Sequence, residues 1–549
     1  METTNLSKIR RDKMLITISE IKKNITDEKT LTNLSMIENE LTKKKYGLIW
    51  EEHEERVDKE LETQIPTFEE IKDKEIVSNP NEKFNFLLEG DNLHSLYLLE
   101  KTHKEKIDII YIDPPYNTGN KDFMYNDTYV DIDNEYKHSK WLSFMERRLR
   151  LSKNLLNNTG YIFISINYRE QAQLKLLCDD IFGENNLVGE ISWESTTQPI
   201  NSGSAKFGLQ QKTEWILVYC KNIIHKKVFK LKRIENGLKY PHIGKLGKCR
   251  FEVIEKSDAG GYKRDTMKFE ILGHKPRDGK RWQIGKETAE HLIENNRIEI
   301  VNGIVKKAVY PEDELDKIKY TPFWSHLSAK DVGTAQNGKD ELNNILSRAV
   351  GFDTVKPTQL IKEILCHFDN DITILDFFAG SGTTGQAVLE LNKEDNGNRQ
   401  FILCTNNENK ICEEITYQRL KTIITGYRKD KSKYSDGINS NLKYYRCTYI
   451  PRINTEAENL HNNLLINIKN LIQLENGIEI DDNKIRVYLN EDELDKFSTN
   501  EKELEICEKV YISSDILLTS EQEEIFENNN IEVYIIPEYY FEDEIMEVM

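Results

Sequence analysis

The chain has 549 residues, 76 of them Lys or Arg and 94 Asp or Glu, for a formal net charge of −18. That is too long for one ordinary core and implies about two to four domains. With 38% hydrophobic and 31% charged residues, no apolar run of membrane-spanning length and no opening signal peptide, it reads as a soluble globular protein. Eight scattered cysteines without a C-x-x-C pair argue against a zinc site or a disulfide framework and point to a reducing cytoplasm.

In chain order, residues 1–45 predict two helices. Met14, Ile18, Ile21 and Ile25 fall at helical spacing, as do Leu31, Leu34, Ile37 and Leu41, with the polar Thr26-Asp27-Glu28-Lys29 between them. Such a hairpin can pack on the main body or on a second copy. From residue 84 the pattern alternates. Residues 84–91 read as a strand ending in a Gly turn, Ile107–Ile112 as a buried central strand, 141–156 as a helix, and 160–166 and 215–219 as further strands. This is the pattern of a doubly wound α/β sheet. Residues 222–345 interrupt it with basic sequence and scattered aromatics such as Phe229, Tyr240, Tyr262, Trp282 and Trp324, the two tryptophans being expected in a core. The rhythm resumes at Leu360, with strands at 372–375 and 401–404, so the interruption reads as an insertion inside one α/β domain. After 451 a second β-α alternation follows, with strands near 485–489, 509–512 and 531–536 and a helical pattern at 521–528. Charge is uneven along the chain. Residues 204–285 hold twenty basic and eight acidic residues, whereas 451–549 hold seven basic and twenty-five acidic. The first block suits a polyanion and the second a protein partner.

Two motifs carry chemistry. Asp113-Pro114-Pro115-Tyr116 follows directly on the strand Ile107–Ile112, and the C-terminal end of a strand is where α/β sheets place ligands. The prolines stiffen the turn and offer no N–H. They leave the Asp113 carboxylate and the Pro114 carbonyl as acceptors beside an aromatic ring. That set matches an amino group on a planar heterocycle such as adenine. Two acceptors hold its N–H bonds, the ring stacks on Tyr116, and the nitrogen lone pair is drawn towards an electrophilic methyl. The second motif, Asp376-Phe377-Phe378-Ala379-Gly380-Ser381-Gly382-Thr383-Thr384-Gly385, also lies between a strand and a helix. Gly380, Gly382 and Gly385 satisfy G-x-G-x-x-G, so a dinucleotide site must be weighed. Such a site calls for an acid about 20 residues on. Here Cys404-Thr405-Asn406-Asn407 follows the next strand, and Glu408 is the nearest acid. Asp376 ahead of the loop suits an ammonium better than a pyrophosphate, which favours S-adenosylmethionine over NAD.

These residues carry a resemblance. Asp113-Pro114-Pro115-Tyr116 with Asn117-Thr118-Gly119, followed later by Phe378-Ala379-Gly380-Ser381-Gly382, resembles the β class of DNA adenine-N6 methyltransferases, in which the catalytic motif precedes the cofactor motif. Lys45-Tyr46-Gly47-Leu48-Ile49-Trp50, Glu89-Gly90-Asp91-Asn92-Leu93, Ile110-Tyr111-Ile112 and Val355-Lys356-Pro357 resemble Mod subunits of type III restriction–modification systems. The resemblance spans roughly 45–430 and leaves the tail untouched.

It implies a Rossmann-like methyltransferase sheet with a catalytic half (81–221), an inserted DNA target-recognition domain (222–345) and a cofactor-binding half (346–430), to which the residue pattern adds an N-terminal helical segment (1–80) and a small acidic C-terminal α/β module (431–549). It assigns Asp113, Pro114, Pro115 and Tyr116 to the base. Asp376, Phe378, Gly380, Gly382 and Thr383, with Lys356, Pro357 and Asp91, go to S-adenosyl-L-methionine. An acid expected at the end of the next strand is Thr405 here, so Glu408 or Asn407 is left for the ribose. The implied partners are double-stranded DNA, a second copy in a homodimer and a helicase–nuclease restriction subunit, in a bacterial or phage-encoded, nucleoid-associated setting. Cytosine-N4 methylation, where Ser more often replaces Asp113, and a catalytically silent DNA-recognition subunit are the alternatives.

Overall fold

In the computed structural model the described residues are 6–23, 25–42, 50, 53, 55–80, 82–119, 124–125, 128–129, 136–199, 208–226, 228–233, 240–259, 264–314, 320–352, 354–451, 457–480, 483–513 and 515–536. The strings at Lys45 to Ile49 and the aromatic Tyr262 lie outside them.

The β-branched run at Ile107–Ile112 forms a central strand. Ile107, Ile110 and Ile112 are fully buried, as expected where both faces of a sheet are covered. Ten strands make up this sheet: β1 (Gln64–Glu70), β2 (Phe84–Glu89), β3 (Ile107–Ile112), β4 (Leu156–Ile166), β5 (Leu187–Glu194), β6 (Thr213–Cys220), β7 (His326–Leu327), β8 (Thr373–Asp376), β9 (Gln400–Thr405) and β10 (Asn441–Pro451). Their spatial order is β1-β10-β2-β9-β8-β3-β4-β6-β5-β7. The run from β10 to β4 is parallel throughout, while β6 pairs antiparallel with β4 and β5, and β1 antiparallel with β10. The sheet is therefore mixed, with the parallel part at its centre. Helices α1 (Leu6–Lys23), α2 (Glu28–Thr42), α3 (Asn92–His103), α4 (Lys137–Leu155), α5 (Thr358–Leu365), α6 (Thr383–Asp395) and α7 (Ala457–Asn476) accompany it. Leu96 of α3, Met145 of α4, Leu375 of β8 and Leu471 of α7 share one core cluster. The hairpin α1–α2 is tied by Lys22 Nζ, which donates to Ser35 Oγ at 2.9 Å and Glu38 Oε2 at 2.6 Å.

The register of β8 against β3 positions the two motifs. Ile374 faces Ile109 and Leu375 faces Ile110 in a parallel pair. Both strands thus run out at the same edge of the sheet, about 4.8 Å apart, delivering Asp376 and Asp113 side by side.

The described residues fall into two compact units, one of residues 1–228 with 324–549 and the other of 229–323. The second has an antiparallel sheet, in the order His242–Gly244, Gly247–Val253, Ile304–Val309 and Ile298–Val301, with a helix at Lys286–Glu294. Its core gathers Ile254, Ile271, Trp282, Ala289, Ile298 and Val305. Trp282 is fully buried and donates Nε1–H to the Phe269 carbonyl at 2.8 Å.

Several boundaries differ from the sequence reading. Gln64–Glu70, placed in the N-terminal helical segment, is strand β1; Pro66 masked it, yet proline is tolerated on an edge strand. Residues 324–345, grouped with the insertion for their basic and aromatic character, lie in the first unit, where β7 pairs with β5. Trp324, expected in a core, is 62% exposed. The stretch 441–451, placed in the acidic module, is β10 of the main sheet. Beyond α7 the tail forms a separate parallel three-stranded sheet of Ile485–Tyr488, Lys509–Ile512 and Glu532–Ile535. Its helix Ser520–Asn528 is closed by a capping box from Thr519. No described helix is long and apolar enough to cross a membrane.

Candidate active site

The turn after β3 is held from several sides. Trp141 of α4 donates Nε1–H to the Pro115 carbonyl at 2.7 Å. Asn117 is buried with φ 55°, a left-handed conformation that Asn tolerates better than most residues. Its Nδ2 donates to Glu170 Oε1 at 2.6 Å and to the Lys137 carbonyl at 3.2 Å. His138 Nδ1 lies 2.7 Å from the same Glu170 oxygen. Burial pushes the Glu170 carboxyl above the ordinary range, against the donors Asn117 and His138.

At the centre, four side chains from three chain segments converge. The Tyr116 hydroxyl lies 2.8 Å from Asp113 Oδ1 and 2.9 Å from Glu214 Oε2, with its proton available to either. Lys356 Nζ reaches both Asp113 oxygens at 2.9 Å, the Tyr116 oxygen at 2.7 Å and Glu214 Oε2 at 3.2 Å. The ammonium also sits 5.5 Å from the centre of the Trp193 ring. Burial alone would pull Lys356 down, but the charges of Asp113 and Glu214 reverse this and hold it above its ordinary value. Burial, then the same two carboxylates, pushes the Tyr116 phenol well up, so it is neutral.

On the adjacent strand end, Asp376 is buried. Its Oδ1 accepts from the Phe378 N–H at 3.0 Å and its Oδ2 from the Thr384 hydroxyl at 2.6 Å. Burial raises its carboxyl to about 7. The loop then turns through Gly380 and Gly382 at φ 47° and 79°, a region open to glycine. At Gly382 a Cβ would stand 3.0 Å from Thr416 Cγ2. Phe378 packs on Phe377 and Phe144, with ring centres 5.3 and 5.8 Å apart.

The expected site residues are thus distributed unequally. Asp113, Pro114, Pro115 and Tyr116 form one turn, and Asp376, Phe378, Gly380 and Gly382 form the neighbouring one. Asp91 caps α3, accepting from the Leu93 N–H at 2.8 Å, and is 3.5 Å from Arg148. The next residue, Asn92, donates to the Phe377 carbonyl at 2.9 Å, which ties this loop to the Asp376 turn. Thr383 is buried, and its hydroxyl accepts from Arg419 at 2.8 Å, which makes it an internal support. Pro357 is the N-cap of α5. Glu408 is exposed on a one-turn helix after β9, and Asn407 is engaged by Glu89 at 3.1 Å. Lys356, expected at the cofactor, instead meets the Asp113 carboxylate. Sequence reasoning missed Glu214, Trp193, Trp141 and Glu170, which have no motif around them.

The residues present fit S-adenosylmethionine. A buried carboxyl with no ion-pair partner among the described residues, beside a glycine-lined turn, suits a ligand with a cationic amino group. Asp376, Phe378, Gly380 and Gly382 would hold it.

Comparison with known proteins follows the same lines. A family model described as DNA methylase matches residues 107–418. The chain is 32% identical over 419 residues to the type III restriction-modification enzyme StyLTI Mod subunit of Salmonella typhimurium, covering 69% of this chain and 62% of that protein. It is 28% identical over 444 residues to the EcoP15I Mod subunit of Escherichia coli, covering 68% and 66%. It is 32% identical over 371 residues to the type II methyltransferase M.KpnI of Klebsiella pneumoniae, covering 62% and 83%. The chain therefore spans a little under two thirds of the length of these type III relatives.

Proposed function

This chain belongs to the DNA methylase family, and from that premise we propose that it methylates the N6 amino group of an adenine flipped out of double-stranded DNA, as the modification subunit of a type III-like system. The observation that carries this reading is the paired register of β3 and β8, which sets the acceptor turn at Asp113 beside the glycine-lined turn at Asp376. Bound S-adenosylmethionine supplies an electrophilic methyl on a sulfonium. The chain's residues do the rest. Asp113 and the Pro114 carbonyl accept from the amino group and orient its lone pair, and the Tyr116 ring stacks on the base.

Extracting the base costs a few kcal/mol, of which stacking on an aromatic returns about 1–3 kcal/mol. Phosphate contacts supply the remainder. The unit 229–323, with Lys245, Lys248, Lys256 and Arg264 exposed on it, is the proposed reader of the target site. A second copy of the chain and a companion helicase–nuclease subunit are the protein partners this reading brings.

The test is to map methylated adenines in host DNA with and without the gene, and to incubate purified protein with that DNA and tritiated cofactor. Methyl-adenine at one short sequence, dependent on the gene, is expected. Label in cytosine alone would overturn the adenine assignment.

A further inference from the structure

We propose that Lys356 and Glu214 are positioning residues that set the aim and the charge of the Asp113 carboxylate, leaving one acceptor lobe of Oδ2 for the target amino group. The inference rests on the reading above, in which Asp113 receives that group.

A count of donors and acceptors leads to it. An ammonium has three protons, and a carboxylate oxygen accepts at two positions. Lys356 uses its protons on the Asp113 carboxylate, the Tyr116 oxygen and Glu214 Oε2. Tyr116 then has one proton to give, towards Asp113 Oδ1 or Glu214 Oε2. With the Tyr116 proton on Asp113, Oδ1 is filled by Lys356 and Tyr116, whereas among the described residues Oδ2 accepts from Lys356 alone. One lobe of Oδ2 is left over, and its direction is fixed because the carboxylate is gripped at both oxygens.

The charges lead the same way. Two carboxylates and one ammonium leave a net single negative charge around a lysine side chain that is only 6% exposed. Tyr116 is neutral. Tyr111 from β3 and Asp376 from β8 are the other titratable groups that interact with Asp113, and neither brings a positive charge. Lys356 is thus the one cation among the described residues that offsets the pair. Removing it leaves Asp113 facing Glu214 alone, so the Asp113 pKa must rise. Removing the Glu214 charge leaves the ammonium to Asp113, so that pKa must fall. A residue that merely supports the fold would not shift the two in opposite directions.

The experiment uses the full chain carrying Lys356→Met, Lys356→Arg and Glu214→Gln. The Asp113 carboxyl is titrated by carbon-13 NMR in the protein alone, its signal assigned with Asp113→Asn, and the acid limb of methyl transfer is measured in parallel. The expected result is a midpoint about one pH unit or more higher in Lys356→Met and lower by a similar amount in Glu214→Gln. Lys356→Arg should stay within about half a unit of the parent and recover at least about tenfold of the rate lost in Lys356→Met. Midpoints that do not move, or that move the same way, would overturn the proposal. If Lys356→Met does not fold, the sign in Glu214→Gln decides alone. Failure to methylate any adenine would overturn the functional reading while leaving the NMR titration to judge the network.

Discussion

Lys356 Nζ lies 2.9 Å from each carboxylate oxygen of Asp113, across 243 residues of chain. The contact joins the segment just before α5 to the turn after β3, so the Asp113 carboxylate is held by the part of the chain that also leads into the Asp376 strand. It separates two roles that the motifs alone leave merged. Asp113, proposed to face the base, is gripped by Lys356, while Asp376, one strand away and proposed to face the cofactor, has no such cation beside it among the described residues.

Asp113→Ala is therefore expected to abolish methyl transfer and to leave cofactor affinity within a few-fold. Lys356 retains Glu214 as a partner, so the ammonium is not stranded. Calorimetry with S-adenosylmethionine and a tritium-transfer assay check the two halves. Loss of cofactor binding in a folded variant would place Asp113 at the wrong ligand.

Stacking needs the Tyr116 ring, so Tyr116→Phe should remain active. The hydroxyl, however, bonds Asp113, Glu214 and Lys356, and hydrogen bonds to charged groups are worth about 1.5–3 kcal/mol. Phe is expected to lose about tenfold or more in rate, and Ala at least about tenfold beyond that, because stacking is lost too. Equal rates in Phe and Ala would mean that the ring contributes nothing.

Asp376 makes stability depend on pH with a definite sign. Its carboxyl is raised to about 7 in the folded protein from an ordinary 3.8, with burial as the main cause. The folded state thus binds a proton that the unfolded state has released between those values. Stability from this site falls as pH rises through that window, and the full penalty, at most about 4 kcal/mol, applies above 7. Asp376→Asn should raise the melting temperature at pH 8, change it little at pH 4.5 and weaken cofactor binding. A lower melting temperature at pH 8 would show that the carboxylate stabilises the fold.

Much of this was legible because the relevant signal is local. Ile107–Ile112 is an Ile-rich run ending in a stiff turn, and Ala379 to Gly385 is a contiguous string of small residues. What was not legible is long-range. Nothing around Glu214 or Trp193 marks them, since their role comes from the antiparallel pairing of β5 with β6 that sets Trp193 opposite Glu214. Strand β5 escaped notice because most of its residues are half-buried and it carries a bulge near Gly189, which blurs any period of two. Residues 324–345 were misplaced because composition cannot see that the Ser325 carbonyl bonds Ser192 N–H at 2.9 Å.

That boundary has a consequence for specificity. Exchanging residues 229–323 for those of a relative should change the sequence methylated and preserve the chemistry. The wider exchange of 222–345 should also lower the melting temperature. It replaces the Gly333 carbonyl that receives the Trp193 Nε1–H at 3.0 Å and the Ala329 N–H that donates to Glu194 at 3.0 Å. Methylation mapping and thermal unfolding of both chimeras check this. A narrow chimera that is active at the original site would move recognition elsewhere.

The acidic tail is two things joined, and truncation should separate them. Helix α7 belongs to the main core. Ile468, Leu471, Ile472 and Leu474 are buried in the same cluster as Phe68, Phe86 and Tyr445, and Asn470 donates to the Phe68 carbonyl at 2.7 Å. Each such aliphatic side chain contributes about 1.5–3 kcal/mol, so the four together approach the whole stability of a typical domain. Cutting at 450 should therefore unfold or grossly destabilise the protein. Cutting after 482 leaves α7 in place and removes a module with a core of its own, built on Leu494, Phe497, Val510 and Phe526. Among the described residues of that module, Tyr511 and Ile536 are buried in the main core cluster and Ile485, Val487 and Leu489 pack against it partly buried, so the loss should be smaller than the other. The removed segment carries nineteen acidic and five basic residues, which phosphates repel. The shorter protein should accordingly keep cofactor binding and lose no non-specific DNA affinity, while self-association or companion-subunit binding is impaired. Light scattering and a salt-titrated DNA-binding assay read these outcomes. A protein cut after 482 that kept its assembly state but lost DNA affinity would place the module in the DNA-recognition machinery instead.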